Sequence, residues 1–305
     1  MNKLNNIVRI VAVAFVISIT RMHHCSAQLI DNRIGNAFNE EMFFSQQFLW
    51  LNKIKTITGV VSVKSPNKPI EQRPDFSVYR FNQVGLMVRL DRVSSVRNLI
   101  DSLSIKFRRN DLGSIELREE TGTRGYLSTG FVYDDHGRLI RIEYGTAENV
   151  STTKNKLEPG RTIALNAESL IWTEQENGVI RKSIYNNYGL HYSNWTITKN
   201  PKGFVETEVE ELIMSGRTKT KAYTYNERGW ISKIEWSDNM SSGKKAQTFV
   251  YDDLGNVQKV EYFDGRSMTR EIEVLYTSTM MVEAFLDHNL DNGDIIITKF
   301  SYEYY

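Results

Sequence analysis

Over most of its length the chain alternates apolar and polar side chains with a period of two, the signature of a half-buried strand. In Leu139–Tyr144, Ile142 and Tyr144 fall on one face while Arg141 and Glu143 fall on the other. Ile234 and Trp236 alternate in the same way with Lys233 and Glu235, as do Val260 and Tyr262 with Lys259 and Glu261. The aliphatic and aromatic rows are predicted to be the packed side of a sheet. The Lys/Arg and Glu rows are predicted to be its solvated side, where cross-strand pairs contribute about 0.2–1 kcal/mol each. Turn signals recur at Asn177-Gly178, Ser215-Gly216, Ser242-Gly243, Asp264-Gly265 and Asn292-Gly293. Interleaved with the repeat turns below, they punctuate the chain from about residue 164 at strand–turn–strand spacing.

Internal similarity sharpens this picture. Tyr133–Tyr144 (YDDHGRLIRIEY), Tyr225–Trp236 (YNERGWISKIEW) and Tyr251–Tyr262 (YDDLGNVQKVEY) align without gaps. Each carries Tyr, Asp or Asn, two free positions and Gly, then aliphatic, basic, aliphatic, Glu and aromatic residues at fixed offsets. Partial copies occur at Tyr185–Gly189, Phe81–Leu86, Asn110–Gly113 and Asn200–Gly203. Gly229 and Gly255 are 26 residues apart, and Gly137 and Gly189 are separated by twice that, which suggests one phase of about 26 residues. The unit reads as a β-hairpin: Asp or Asn bonds its own backbone to open the turn, and Gly supplies the positive φ that closes it.

Tyr133–Leu139 (YDDHGRL) resembles the YD repeat of RHS-type proteins, Tyr-Asp-x-x-Gly-Arg-Leu followed by a strand. Tyr251–Val257 lacks the Arg, and Tyr225–Ile231 has Asn for Asp and Trp for Arg. In large members of that family the repeats wind into a β-shell around a C-terminal toxin. No cargo follows the repeats before Tyr305, so the resemblance implies only a β-sheet scaffold in a surface or secreted setting. Short secreted proteins with scattered units of this kind look typical of Bacteroidota.

The expected fold is therefore mainly β, an antiparallel meander of repeated hairpins forming an open or curled sheet, or two stacked sheets. One short N-terminal helix is expected within Asn36–Ile54, where Phe38, Met42, Phe48 and Leu49 give an amphipathic pattern, with an edge segment as the alternative. A strand follows at Thr56–Lys64, then a loop at Ser65–Pro74; Val93–Leu103 reads as a weak helix. The expected organisation is a signal peptide at 1–27, an N-terminal segment at 28–75 and a hairpin-repeat domain at 76–305. The free strand edges of such a meander invite an edge-strand dimer.

The beginning of the chain supplies an address. Lys3 and Arg9 precede the apolar run Ile10–Ile19, and Cys25-Ser26-Ala27 offers small residues for cleavage after Ala27, the layout of a secretory signal peptide. Ten apolar residues are too few to span a bilayer, so no membrane span is expected after cleavage. His23 and His24 before Cys25 argue against lipidation. The chain from Gln28 onward has no cysteine and thus neither disulfides nor thiol ligands.

Composition narrows the function classes. Of 305 residues, 38 are Lys or Arg and 37 are Asp or Glu, so no basic excess speaks for nucleic-acid binding. No His-x-x-x-His, Gly-x-Ser-x-Gly or phosphate-cradling glycine loop is present. His136 stands in a repeat turn, and Asp134-Asp135 and Asp252-Asp253 are consecutive residues of equivalent turns. Asp287, Asn289 and Asp291 match three positions of a calcium loop, but Gly293 is one position late and Thr298 stands where Glu belongs. A hairpin turn before a strand at Asp294–Tyr302 fits better. No catalytic residue, cofactor or metal is expected.

What remains is a non-catalytic exported binding or structural module of the envelope or surface, periplasmic or secreted, with a glycan or a partner protein as its ligand. Trp195, Trp230 and Tyr192 near turns are the candidates for stacking on sugars. The alternatives are an outer-membrane β-barrel, which strands of this length and the C-terminal aromatic favour, and an envelope enzyme of unrecognised type. Lys and Glu on one face of the strands, and Asn256 and Gln258 among their apolar residues, speak against a lipid-facing wall.

Overall fold

The computed structural model describes residues 28–38, 44–96, 99–122, 125–151, 158–175 and 178–305; the expected signal peptide lies outside them. After a six-residue helix α1 (Gln46–Leu51) come β1 (Ile54–Lys64), β2 (Ile70–Phe81), β3 (Met87–Val96), β4 (Leu99–Arg109), β5 (Ile115–Gly122) and β6 (Gly125–Tyr133). Next are β7 (Leu139–Asn149), β8 (Pro159–Glu174), β9 (Ile180–Asn186), β10 (His191–Lys199), β11 (Val205–Leu212) and β12 (Arg217–Tyr225). The last six are β13 (Ile231–Asp238), β14 (Lys245–Tyr251), β15 (Val257–Asp264), β16 (Ser267–Tyr276), β17 (Val282–Asn289) and β18 (Ile295–Tyr304).

Each strand pairs antiparallel with its neighbours in sequence, and β18 returns to pair with β1 along its length, from Ile54–Tyr304 to Lys64–Ile295. The eighteen strands among the described residues thus close into a barrel. This corrects the expected open or curled sheet: the repeat dictates hairpin after hairpin, but whether the last strand meets the first depends on accumulated twist and stagger, which no local segment encodes. It also removes the free lateral edges on which the expected edge-strand dimer rested, except at strand overhangs. The boundary drawn at residue 75 falls inside β2, and β1 belongs to the same sheet. Strand β2 already begins at Ile70 and carries Pro74. The described residues of Val93–Leu103, read as a weak helix, lie on the paired strands β3 and β4, with Ser94 opposite Asp101.

Strict alternation sends successive hairpin loops to opposite ends of the barrel. The repeat turns at residues 82–86, 110–114, 134–138, 200–204, 226–230 and 252–256 share one end, called here the tight-turn end. All follow one hydrogen-bond plan. In the turn at 134–138, Asp134 Oδ1 accepts from the backbone N–H of His136 and Arg138, the Gly137 N–H donates to the Asp134 carbonyl, and the Asp134 N–H donates to the Arg138 carbonyl. Thr277–Met281 repeats the plan with a Thr hydroxyl in place of the carboxylate and Met280 at φ 63° in place of Gly. The similar turn at Asn186–Leu190 joins β9 to β10 and therefore lies at the opposite end, so the 52-residue spacing of Gly137 and Gly189 is a coincidence and not two periods.

The tyrosine before the turn has a defined task. A bulge sits at the last residue of the incoming strand in these hairpins, for example between Thr224 and Tyr225 opposite Ile231. The Tyr hydroxyl of the next hairpin donates to the carbonyl of the residue facing that bulge: Tyr251 to Ile231 at 2.7 Å, Tyr276 to Val257 at 2.9 Å and Tyr302 to Val282 at 2.7 Å. Tyr225 serves Val205 and Tyr133 serves Ile115 in the same way. This side-chain ladder staples each hairpin to the one before it.

The core lies inside the barrel. Inward rows of β1–β4 and β12–β18, including Ile57, Tyr79, Leu90, Ile105, Ile234, Phe249, Val260 and Phe285, pack against residues 28–38 and 44–52, which plug the tight-turn end. Leu29, Ile30 and Leu49 of this plug are within 2% of full burial, each stabilising by about 1.5–3 kcal/mol relative to exposure. Phe44 packs edge-on to Tyr79 and Phe81. Asn32 Nδ2 donates to the Tyr251 hydroxyl, and Tyr262 donates to the Phe38 carbonyl. The short helix expected within Asn36–Ile54 is α1, capped by Ser45 Oγ accepting from the Phe48 N–H.

Candidate luminal binding site

On the β8–β13 side the inner wall is polar and aromatic. Register places Glu208 opposite Lys221 and Glu210 opposite Lys219 across the β11–β12 hairpin, and Trp195 opposite Glu210 and Lys182 on its two neighbouring strands. Lys221 in turn faces Trp236, and Lys182 faces Trp172. Because partners in register share a face, these side chains form one continuous inward patch.

The patch is held rigidly. Lys219 Nζ lies 3.1 Å from Glu210 Oε2, and the Arg217 guanidinium pairs with Asp238 through Nε at 2.8 Å. The Lys182 ammonium sits 4.5 Å from the Trp195 ring centre and 5.6 Å from that of Trp172, and Lys221 sits 4.8 Å from the Tyr223 ring. Glu168 accepts from the hydroxyls of both Tyr144 and Tyr192. Trp172 Nε1 donates to the Leu139 carbonyl at 2.7 Å.

The electrostatics follow from these contacts. Burial lowers the pKa of Lys182, opposed by the carboxylates of Glu208, Glu210 and Glu168. Lys221 is lowered by burial and opposed by Glu208. Burial, then Glu208, raises Tyr223, and burial, then Glu168, raises Tyr192 and Tyr144. Asp238 is lowered, and Arg217 raised, by their mutual hydrogen bond.

Two cavities open onto this wall. One of about 510 Å³ lies toward the end opposite the plug, among Trp195, Trp236, Glu210, Lys219, Arg217 and Asp238, with Glu208 and Lys221 further in. The other, about 1380 Å³, lies between the plug and the tight turns of β10–β15, lined by Trp50, Phe204, Tyr225, Trp230 and Tyr251. Glu208 lines both. Phe204 stacks on Tyr225 at 4.9 Å, and Arg228 lies 5.2 Å from the Trp230 ring.

Of the aromatic candidates read from sequence, Trp195 and Tyr192 belong to the luminal patch and Trp230 to the plug-side cavity. His136 and the paired aspartates stay in their turns; His191 bonds Asn194 and stacks on Tyr185. Asp287 is engaged by the Arg270 guanidinium, and Asn289 caps the following hairpin turn. No group of His, Cys, Asp or Glu among the described residues has metal-binding geometry. The luminal charges were missed, yet a signal existed: alternate acids in Glu208-Val-Glu210 and alternate lysines in Lys219-Thr-Lys221 flank one turn in complementary order.

No protein-family model matches the chain, and no curated protein matches it. Among solved structures, a porin-like protein from Bacteroides uniformis aligns over 83% of this chain and 97% of its own at 9% identity, TM-score 0.40. A porin-like protein from Bacteroides vulgatus aligns over 80% and 97% at 8% identity, TM-score 0.30. A TcdB2-TccC3 structure aligns over 77% of this chain and 16% of its own at 12% identity, TM-score 0.26. At such scores none of them bears on what this chain binds.

Proposed function

We propose that the protein is an exported, non-catalytic binding module of the envelope whose ligand is a glycan held in the luminal cavity between Trp195 and Trp236. The observation that carries this reading is the inner wall itself: flat aromatic rings beside ionic groups already fixed by their own pairs. Sugar faces stack on such rings, and sugar hydroxyls bond to charged donors and acceptors more strongly than to neutral ones. Near-neutral overall charge and a leader-like N-terminus agree with export of a soluble binder.

The closed barrel with an even number of antiparallel strands favours the outer-membrane alternative. Its outer wall opposes it. Lys233, Glu235, Lys259, Glu261, Glu271 and Glu273 lie on the outward rows of β13, β15 and β16, with Lys259 bonded to Glu271 at 3.0 Å, where a lipid-facing barrel carries an apolar band. Release from membranes by carbonate without detergent is the expected behaviour; a requirement for detergent would favour the alternative.

The test of the main reading is titration of the purified protein with a panel of soluble oligosaccharides, followed by tryptophan fluorescence and calorimetry. Binding is expected for at least one, weakened about tenfold or more by Trp195→Ala or Trp236→Ala, as loss of an aromatic stacking surface implies. Absence of binding across the panel, or binding indifferent to both substitutions, would overturn it.

A further inference from the structure

The inner wall of β11–β13 runs from one cavity into the other. Along β12 the inward positions are Lys219, Lys221, Tyr223 and Tyr225. The first two line the cavity opposite the plug, and the last two line the plug-side cavity. On β13, Trp236 lines the first and Ile231 the second. Glu208 on β11, opposite Lys221, lines both, so the two cavities meet at its level. Lys219 and Tyr225 are six residues apart on one strand, about 20 Å at about 3.4 Å per residue.

The plug-side end repeats the chemistry of the other. Phe204 and Tyr225 lie nearly parallel, their ring centres 4.9 Å apart, and Trp230 and Trp50 line the same cavity. Trp50 is 54% exposed and Phe204 38%, so these rings are offered to the cavity and not packed away. Asp31 accepts from Arg33 Nε at 2.8 Å, and the Arg228 guanidinium lies 3.4 Å from the Asp253 carboxylate. At the other end Glu210 holds Lys219 and Asp238 holds Arg217. With these acids and bases paired, both ends offer groups that bond hydroxyls without selecting a charged ligand.

We propose that the two cavities form one elongated site for a linear, neutral oligosaccharide. One end of the chain stacks between Trp195 and Trp236, and the other reaches the rings of Phe204, Trp230 and Trp50. The proposal rests on the glycan reading above and adds to it the length and charge of the ligand and a second aromatic subsite. A disaccharide is too short to bridge about 20 Å of wall, whereas a chain of six sugars can. Once one end is stacked, the second contact is intramolecular, so length raises affinity without a new kind of interaction. An acyl chain of the same length would take Glu208 and Lys221 out of water at the junction and give them no hydroxyl in return.

The test is calorimetric titration of the purified protein with dimers and hexamers of linear cello-, malto- and N-acetylchito-oligosaccharides. At least one hexamer should bind about tenfold or more tighter than its dimer. Phe204→Ala or Trp50→Ala should bring that ratio down toward one, whereas Trp195→Ala should weaken dimer and hexamer together. A ratio near one in the wild type, or a ratio that neither plug-side substitution moves, would overturn the inference. If Trp195→Ala still weakened both ligands, the reading of a single cavity would stand without it. Absence of binding by every dimer and hexamer would overturn the two together. Tighter binding of an oligogalacturonate hexamer than of all neutral ones would also sink the inference. A second measurement needs no variant and so does not depend on one folding. Hexamers carrying a photoreactive diazirine at the reducing or the non-reducing end should between them label peptides of both cavities, and labels confined to one cavity would count against the elongated site.

Discussion

Tyr251 stands where the hairpin ladder meets the plug, and its removal has a pH-dependent cost that the structure fixes. Its hydroxyl donates to the Ile231 carbonyl at 2.7 Å and accepts from Asn32 Nδ2 at 3.0 Å. Tyr251→Phe leaves both partners short of a bond, a loss of about 1–3 kcal/mol near pH 8. Burial pushes the Tyr251 phenol up to about 12 from its ordinary value of 10.0, with Asn32 acting in the opposite direction. A phenol with a raised pKa holds its proton in the folded state while the unfolded chain releases it. The native state's advantage is therefore complete below pH 10 and is lost as pH rises through the folded pKa. Between those two values, near pH 11, the wild type has lost about 1.4 kcal/mol at this site. Phenylalanine has no proton to lose, so the stability gap between the two proteins should shrink by that amount from about pH 8 to about pH 11. Urea unfolding at both pH values reads the difference directly, and the other tyrosines titrate alike in both proteins. A gap that stays constant or widens with pH would refute the buried, doubly bonded hydroxyl.

Further substitutions test other parts of the argument. Gly255 has φ +89°, and a Cβ there would come within 2.6 Å of the Trp230 ring, so Gly255→Ala should cost about 2–4 kcal/mol in thermal unfolding. Gly137 has φ +74° with open space around it, so Gly137→Ala should cost only the backbone strain of about 1–2 kcal/mol; equal losses at the two sites would contradict the packing described. Leu49→Ala should cost about 2–5 kcal/mol by emptying a fully buried site of the plug, and a loss below 1 kcal/mol in urea unfolding would mean that the plug is not part of the folded core. Trp195→Ala should leave the thermal midpoint nearly unchanged while moving the tryptophan fluorescence response to about tenfold or more higher oligosaccharide concentration, which separates a ligand-facing ring from a structural one.

The repeat turns were legible because their chemistry is local. Asp134, Asn226 and Asp252 bond N–H groups two and four residues on, and Gly137, Gly229 and Gly255 take positive φ, so each segment carries its own instruction. Thr277–Met281 escaped notice because a Thr hydroxyl and a methionine at φ 63° fill the same geometry with the wrong letters. Alternation likewise separated Ile234 and Trp236 from Lys233 and Glu235 before any fold was known. It could not say that the apolar face would be the inside of a closed barrel. The weak helix read at Val93–Leu103 failed because the β3–β4 pairing overrode a helical spacing of apolar residues.

The amino-acid sequence by itself thus determined hairpins, their turns and the two faces of every strand, since these depend on residues within a few positions of one another. Tertiary structure alone decided that β18 would meet β1, that residues 28–38 and 44–52 would fill the barrel's apolar half, and that Glu208, Lys221, Trp195 and Trp236 would share a cavity. These outcomes rest on stagger and twist summed over eighteen strands, a quantity that each hairpin contributes to and none contains.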